Sequence, residues 1–289
     1  MSIKAEIIAD SISPKGFRLT TFVLEYPRFI HAEVMTHRVF SKNAASSRAI
    51  PIEKMIDQVF ENPAMPVWWG KNQSGMQAKE ELDEYNKSEA IRIWLQARAD
   101  AIRHTHALSK IGAHKQIANR LLEPWFNIRV ILTGTDFGNF FALRAHPDTQ
   151  PEFQELAYKM LEAYNASTPK EIIEGQWHIP FGDQMDDERV RLLSEKIQTP
   201  ENKVKLMIAV ARCARVSYFN FEGKDDYEKD VSTCEKLFGS VPRHLSPAEH
   251  VAMCTNLEEY YGNFRGWKQY RKFFEDECLS DERIQTKLT

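Results

Sequence analysis

The chain of 289 residues contains no Cys-x-x-Cys pair, and its four cysteines, Cys213, Cys234, Cys254 and Cys278, are widely spaced. That argues against zinc and dithiol redox sites and fits reduced thiols in a cytosol. No apolar run approaches the ~18 residues of a membrane helix. No basic region followed by an apolar one is seen near Met1, so no signal peptide is apparent and a cytoplasmic location is expected. The net charge of -3 gives no whole-molecule attraction to nucleic acid or an anionic membrane. Gly70-Lys71 lacks the glycines and helix spacing of a phosphate loop. His104, His106 and His114 have no carboxylate set at metal spacing, so no metal site is expected. Internal repeats and low-complexity tracts are also missing.

What is present suffices for a packed α/β domain. Hydrophobic residues make up 43% of the chain and charged ones 27%, ordinary for a globular protein. Ile3, Ala5, Ile7 and Ala9 alternate as in a strand, and Ser13-Pro14-Lys15-Gly16 signals a turn. Leu19 to Tyr26 predicts a second strand. Pro27 sits where a first helical residue would, predicting a helix through about Val39 with Glu33 and His37 on one face. An irregular polar loop should follow. Pro51 to about Glu61 predicts a helix ended by Asn62-Pro63, and residues ~77 to 123 are helical with breaks near 86–88 and 110–112. Pro124 should stop the last piece, leaving Arg120 in its final turn.

Ile128 to Thr133 predicts a strand, and Asp136 can cap a helix carrying Asn139 and Arg144. Residues ~166 to 200 are richer in proline and polar groups and read as a connector. Helices follow from about Pro200 and up to Gly239. Phe264, Trp267 and Tyr270, interleaved with Arg265, Lys268 and Arg271, suggest an amphipathic helix packing its aromatic stripe. The fold expected is α/β (α+β), a central mixed sheet with a helical bundle, in one domain over 1–289.

Two short segments carry the chemistry. His37 to Arg48 places Arg38, Ser41, Asn43, Ser46, Ser47 and Arg48 at and after a helix end. Hydroxyl, amide and guanidinium donors in so small a volume suit an anion, and guanidinium binds phosphate through two parallel bonds. A polar loop with capping serines is the bland alternative. In Arg243 to His250, Ser246-Pro247-Ala248-Glu249 has the form of a capping box, which leaves Arg243, His244 and His250 unexplained. Arg120 and Arg144 near helix ends equally suit a solvated charge.

Together the two segments resemble the signatures of the flavin-dependent thymidylate synthases. That family's helix-end signature is Arg-His-Arg, seven residues, then Ser; His37, Arg38 and Ser46 match it, as do Asn43 and Arg48 in its extension. Its His-x-Ser/Thr-Pro-x-Glu-His is met by His244, Ser246, Pro247, Glu249 and His250. Ala214-Arg215-Val216-Ser217 resembles the family's Ala-Arg-Val-Ser, and Arg120-Leu121-Leu122-Glu123-Pro124 its Arg-x-x-Leu-Pro, with Glu for Leu. Asn139 to Gln150 resembles its Asn-x-x-x-x-Arg helix and the segment after it. The pieces stand in a cyclically shifted order, so the resemblance implies a circularly permuted member.

The resemblance implies C5 methylation of dUMP, with FAD as redox carrier and methylenetetrahydrofolate and NADPH as cosubstrates. It assigns His37, Arg38, Asn43, Asn139, His244 and Ser246 to the flavin, and Ser46, Arg48, Arg120 and Arg144 to the nucleotide. Arg144, His37 and Arg38 would serve the chemistry, with Arg144 at the pyrimidine carbonyl. A homotetramer is implied, with Arg120 completing a neighbour's site. Thr36, Ala44 and Glu33 depart from the usual Arg, Glu and Gln. Glu33 can only accept a hydrogen bond, which would favour cytosine over uracil, so a dCMP-directed enzyme stays open. A relative that binds nucleotide or RNA without turnover is the other alternative, its basic-aromatic tail serving the RNA.

Overall fold

The computed structural model describes residues 3–275 and 277, except 221 and 256. Cys278 lies outside the described residues. The strands are β1 (Lys4–Ile12), β2 (Arg18–Pro27), β3 (Ser41–Ala44), β4 (Asn127–Gly134), β5 (Lys170–Glu171), β6 (Trp177–His178), β7 (Ala252–Cys254), β8 (Tyr260–Tyr261), β9 (Phe264–Arg265) and β10 (Trp267–Gln269). The helices are α1 (His31–Met35), α2 (Ile52–Glu61), α3 (Glu84–Lys110), α4 (Lys115–Ala118), α5 (Gly138–Arg144), α6 (Pro151–Ala166), α7 (Asp187–Ile197), α8 (Glu201–Arg215) and α9 (Tyr227–Gly239). A central mixed sheet has the order β3-β4-β2-β1-β5, and only the β1–β5 pairing in it is parallel. A small sheet, β10-β7-β6, packs beside it.

β2 and β4 are buried almost continuously because both sheet faces are covered. Phe22, Leu24, Tyr26, Val130 and Leu132 meet α1, α5 and α6 through Val34, Phe40, Phe137, Phe140 and Phe153. On the other face Val23 and Ile131 meet Phe181, Cys213 and Val216. Adjacent residues of β1 face opposite sides, so Ile7 packs on the first core and Ile8 on the second, and the register with β2 slips between Ile7 and Ala9. α7, α8 and α9 form the expected helical bundle around Val204, Ile208 and Val231.

That bundle is pinned by a buried charge. Arg212, fully buried in α8, donates to Asp225 at 2.6 Å and Asp230 at 3.2 Å, with the Tyr218 ring 4.0 Å from its guanidinium carbon. Arg212→Ala would strand Asp230 beside Arg215 alone. It is expected to cost about 3–5 kcal/mol in a denaturant titration. A loss under 1 kcal/mol would show that the network carries no stability.

Several expectations are corrected. Pro27 ends β2, paired with Asn127, and is not the first helical residue. The helix stops at Met35, not Val39: the Thr36 hydroxyl donates to the Glu33 carbonyl at 2.6 Å, and the buried Phe40 draws the chain back to the core. Part of the supposed irregular loop is β3, paired with β4. α3 runs unbroken through 86–88, because Asp83 caps it by accepting from Asn86 N. Pro124 lies inside a 3-10 helix, Asn119–Trp125, which also holds Arg120. Asp136 does not cap α5, whose capping residue is Phe137.

Residues 264–270 form β9, β10 and the start of a 3-10 turn, not an amphipathic helix. Gly262 and Gly266, at φ of 73° and 80°, break any helix there. A side chain at Gly266 would run into the Phe17 ring. The segment 166–200 carries β5, β6 and α7.

Candidate functional site

Two groups of polar side chains gather around the ends of β3. At its start, Arg144 Nε donates to His37 Nε2 at 2.9 Å, so that nitrogen is bare. Burial, then the charges of Arg144 and Lys42, push the His37 pKa down to about 4, leaving a neutral imidazole at pH 7. Phe140 and Phe153 stand edge-on to the ring at 5.0 and 5.8 Å. The Arg144 guanidinium lies over Phe153 at 5.0 Å. Lys42 folds back from β3 and donates to the His37 carbonyl; burial lowers its pKa to about 8. The result is an oriented guanidinium beside a neutral imidazole on an aromatic shelf.

Beyond the end of β3, the Ser47 hydroxyl donates to Glu123 Oε1 at 2.7 Å, and Arg120 Nη1 donates to the same oxygen at 2.8 Å. Asn119 Nδ2 donates to the Ser47 and Ile50 carbonyls at 2.7 and 3.0 Å. Lys115 Nζ reaches the Ala49 carbonyl at 2.9 Å. Ser46 and Arg48 are exposed on this loop, and their side chains have no partner among the described residues. Ser46, Arg48 and Arg120 therefore share one cationic loop region. Within its own chain Arg120 sits against this loop. Arg144 makes no hydrogen bond or ion pair with this group among the described residues; its guanidinium is held by His37 and the Phe153 ring.

The second signature lies beside β3 as a 3-10 turn, Ser246–Glu249. The expected capping box does not form: Leu245 is the capping residue, and Glu249 pairs with Arg271 instead. His244 and Ser246 are exposed, as are Arg38 and Asn139, while Asn43 is half-buried on β3. Their side chains have no partner among the described residues. The same holds for the exposed Glu33, which does not pair with Arg38.

His250, fully buried, joins this turn to the sheet. A line of hydrogen bonds of 2.8–2.9 Å runs from Ser11 to His178, Thr21, Thr133 and His250. Burial pushes both histidines down to about 3, so both are neutral. Sequence reasoning missed Lys42, Lys115, Asn119 and His178. Asn119 adjoins a motif arginine, which was a usable signal. His178 stands between Trp177 and Ile179 in a stretch with no motif. Among the described residues no group of three or more His, Cys, Asp or Glu is placed to hold a metal ion.

Fold and clusters define a mixed α/β protein with polar side chains around β3 that have no partner among the described residues. More narrowly, the chain belongs to the flavin-dependent thymidylate synthase family: residues 13–170, over half its length, match the family described as thymidylate synthase complementing protein. That span includes His37, Arg48, Arg120 and Arg144 but not the 243–250 segment. Among solved structures, the UMP/dUMP methylase PolB from Streptomyces cacaoi bound with 5-Br UMP is 19% identical, with a TM-score of 0.47 over 56% of this chain and 89% of that one. PolB bound with 5-Br dUMP gives 17% and 0.45 over 56% and 90%. The flavin-dependent thymidylate synthase ThyX from Helicobacter pylori, complexed with FAD and dUMP, gives 16% and 0.37 over 50% and 67%. No curated protein matches the chain. No helix among the described residues is long and apolar enough to cross a membrane.

Proposed function

We propose that this protein methylates dUMP at C5, taking the carbon from methylenetetrahydrofolate, with FAD as redox carrier and NADPH as reductant. The observation that carries this reading is the Arg144–His37 hydrogen bond inside the span matched by the family. Arg144 would face the pyrimidine carbonyl and offset charge developing there. Ser46, Arg48 and Arg120 would take the phosphate. When bound, FAD would supply the hydride and one-carbon redox chemistry.

The donors fit a flavin dinucleotide. Arg38 offers an unpaired guanidinium for a pyrophosphate, and Asn43, Asn139, His244 and Ser246 offer free amide, imidazole and hydroxyl groups for ring edges. A permuted chain order accompanies this reading. It is supported by the second signature lying beside β3, and by β7 and β10 packing against Phe17 and Leu19 at the start of β2. A homotetramer is part of the proposal. Its support is α3, 27 residues long, of which only Thr105 is fully buried.

The purified protein is expected to be yellow, to release FAD on denaturation, and to release tritium from C5-labelled dUMP faster than from C5-labelled dCMP. A colourless protein that takes up no FAD in a titration would remove the assignment. Faster release from dCMP would instead point to Glu33 as reader of the base.

A further inference from the structure

We infer that Glu123 and Asn119 are positioning residues for the phosphate-binding donors, with Glu123 holding Ser47 and Arg120 in one fixed arrangement. The inference rests on the dUMP reading above and adds to it two residues that touch neither substrate nor cofactor.

The geometry is specific. Ser47 is held at both ends, its hydroxyl by Glu123 and its carbonyl by Asn119. One carboxylate oxygen, Glu123 Oε1, accepts from both Ser47 and Arg120. The Glu123 side chain is 19% exposed and that of Arg120 53%, so the carboxylate lies beneath the guanidinium. Arg120 spends only Nη1 on it, and its Nε and Nη2 stay available for a ligand. An arginine already held in place avoids most of the ordering cost when an anion arrives. Two further cations belong to the same loop: Arg48 lies on it, and Lys115 donates to its Ala49 carbonyl.

Asn119 supplies the second observation. It is fully buried, its Nδ2 serves two loop carbonyls, and its Oδ1 is buried with no partner. A buried acceptor left unmet is costly, and an apolar residue would not incur that cost. The amide is explained by what its other end does, which is to fix the course of residues 47–50. Leu, the residue the resembling motif has in place of Glu123, could make neither of the two bonds. The arrangement is therefore a property of this chain.

The test is calorimetric titration of dUMP, and separately of deoxyuridine, into FAD-loaded wild type, Glu123→Leu and Glu123→Gln. Glu123→Leu is expected to raise the dUMP Kd about tenfold, with KM rising more than kcat falls. Gln keeps an acceptor oxygen and should recover part of the loss. Deoxyuridine, which lacks the phosphate, should bind all three alike, and FAD content should not change. Tighter dUMP binding by Glu123→Leu would make the carboxylate a competitor of the phosphate and overturn the inference. An unchanged Kd would reduce the contact to a surface ion pair and also overturn it. Equal losses for deoxyuridine or FAD would show a general loosening, which overturns it too. A wild type that binds FAD but no dUMP would overturn the dUMP reading itself, and this inference with it.

Discussion

Arg144→Ala is expected to lower turnover by roughly 10²- to 10³-fold, the usual scale for losing a donor aimed at developing charge. The guanidinium is oriented from two sides, by the bare Nε2 of His37 at 2.9 Å and by the Phe153 ring at 5.0 Å. His37 can hold it only while neutral, and burial with two nearby cations secures that by lowering its pKa to about 4. Arg144→Lys should therefore restore little: an ammonium is a point charge without the planar fork that fits between imidazole and phenyl ring. dUMP should still bind to both variants through Arg48 and Arg120. Single-turnover measurements with bound dUMP separate the two roles. If Arg144→Ala keeps more than a tenth of wild-type turnover, Arg144 does not act on the reacting ring. The same depressed pKa predicts no loss of turnover through His37 between pH 7 and 5.

How far this site could be read from sequence depends on what each residue interacts with. His37, Ser46 and Arg48 could be singled out because they stand in one short segment that matches a family signature. The pairing of His37 with Arg144 spans 107 positions and comes from α5 packing, through Phe140, against His37 and Phe40 in the segment before β3, which no local pattern encodes. The end of α1 was misread because Val34 continues the apolar spacing. What ends the helix is Thr36 bonding back to Glu33, and Phe40 being needed in the core. Phe264, Trp267 and Tyr270 have helical spacing, yet Gly262 and Gly266 decide the matter through backbone conformation. Strands β1, β2 and β4 were found because their alternation and β-branched content are local properties. Glu123 was visible only as a departure from a motif, and its bond to Ser47 crosses 76 positions.

Acidification from pH 6.5 to 5 should destabilise the protein through His178 and His250. Both are fully buried, and both pKa values fall from the ordinary 6.5 to about 3, first through desolvation. The nearby charge of Asp10 opposes the shift at His178, and His178 itself adds to it at His250. In the unfolded chain each histidine takes up a proton below about pH 6.5, while the folded protein does not until about pH 3. Between these values the unfolded state binds more protons, so stability falls as pH falls. Each histidine contributes a slope of about 1.4 kcal/mol per pH unit once below pH 6.5 by a full unit. At pH 5 the pair should have removed about 4 kcal/mol relative to pH 7.5, a large share of a typical domain's stability. No carboxylate bonds to either ring of the line Ser11–His178–Thr21–Thr133–His250, and Asp10, which favours a charged His178 from a distance, is itself paired with Arg18. Most carboxylates are already ionised in the window from about 5.0 to 6.5, so the slope there reports on histidines. His31 and His37, lowered to about 4, add to it in the same direction, and replacing His178 or His250 by Gln isolates the share of each. Urea titrations at half-unit steps across that window measure the slope directly. A midpoint that does not move between pH 6.5 and 5.0 would mean that both rings are protonated, or reached by water, inside the folded protein; half the slope expected of the pair would mean that one is.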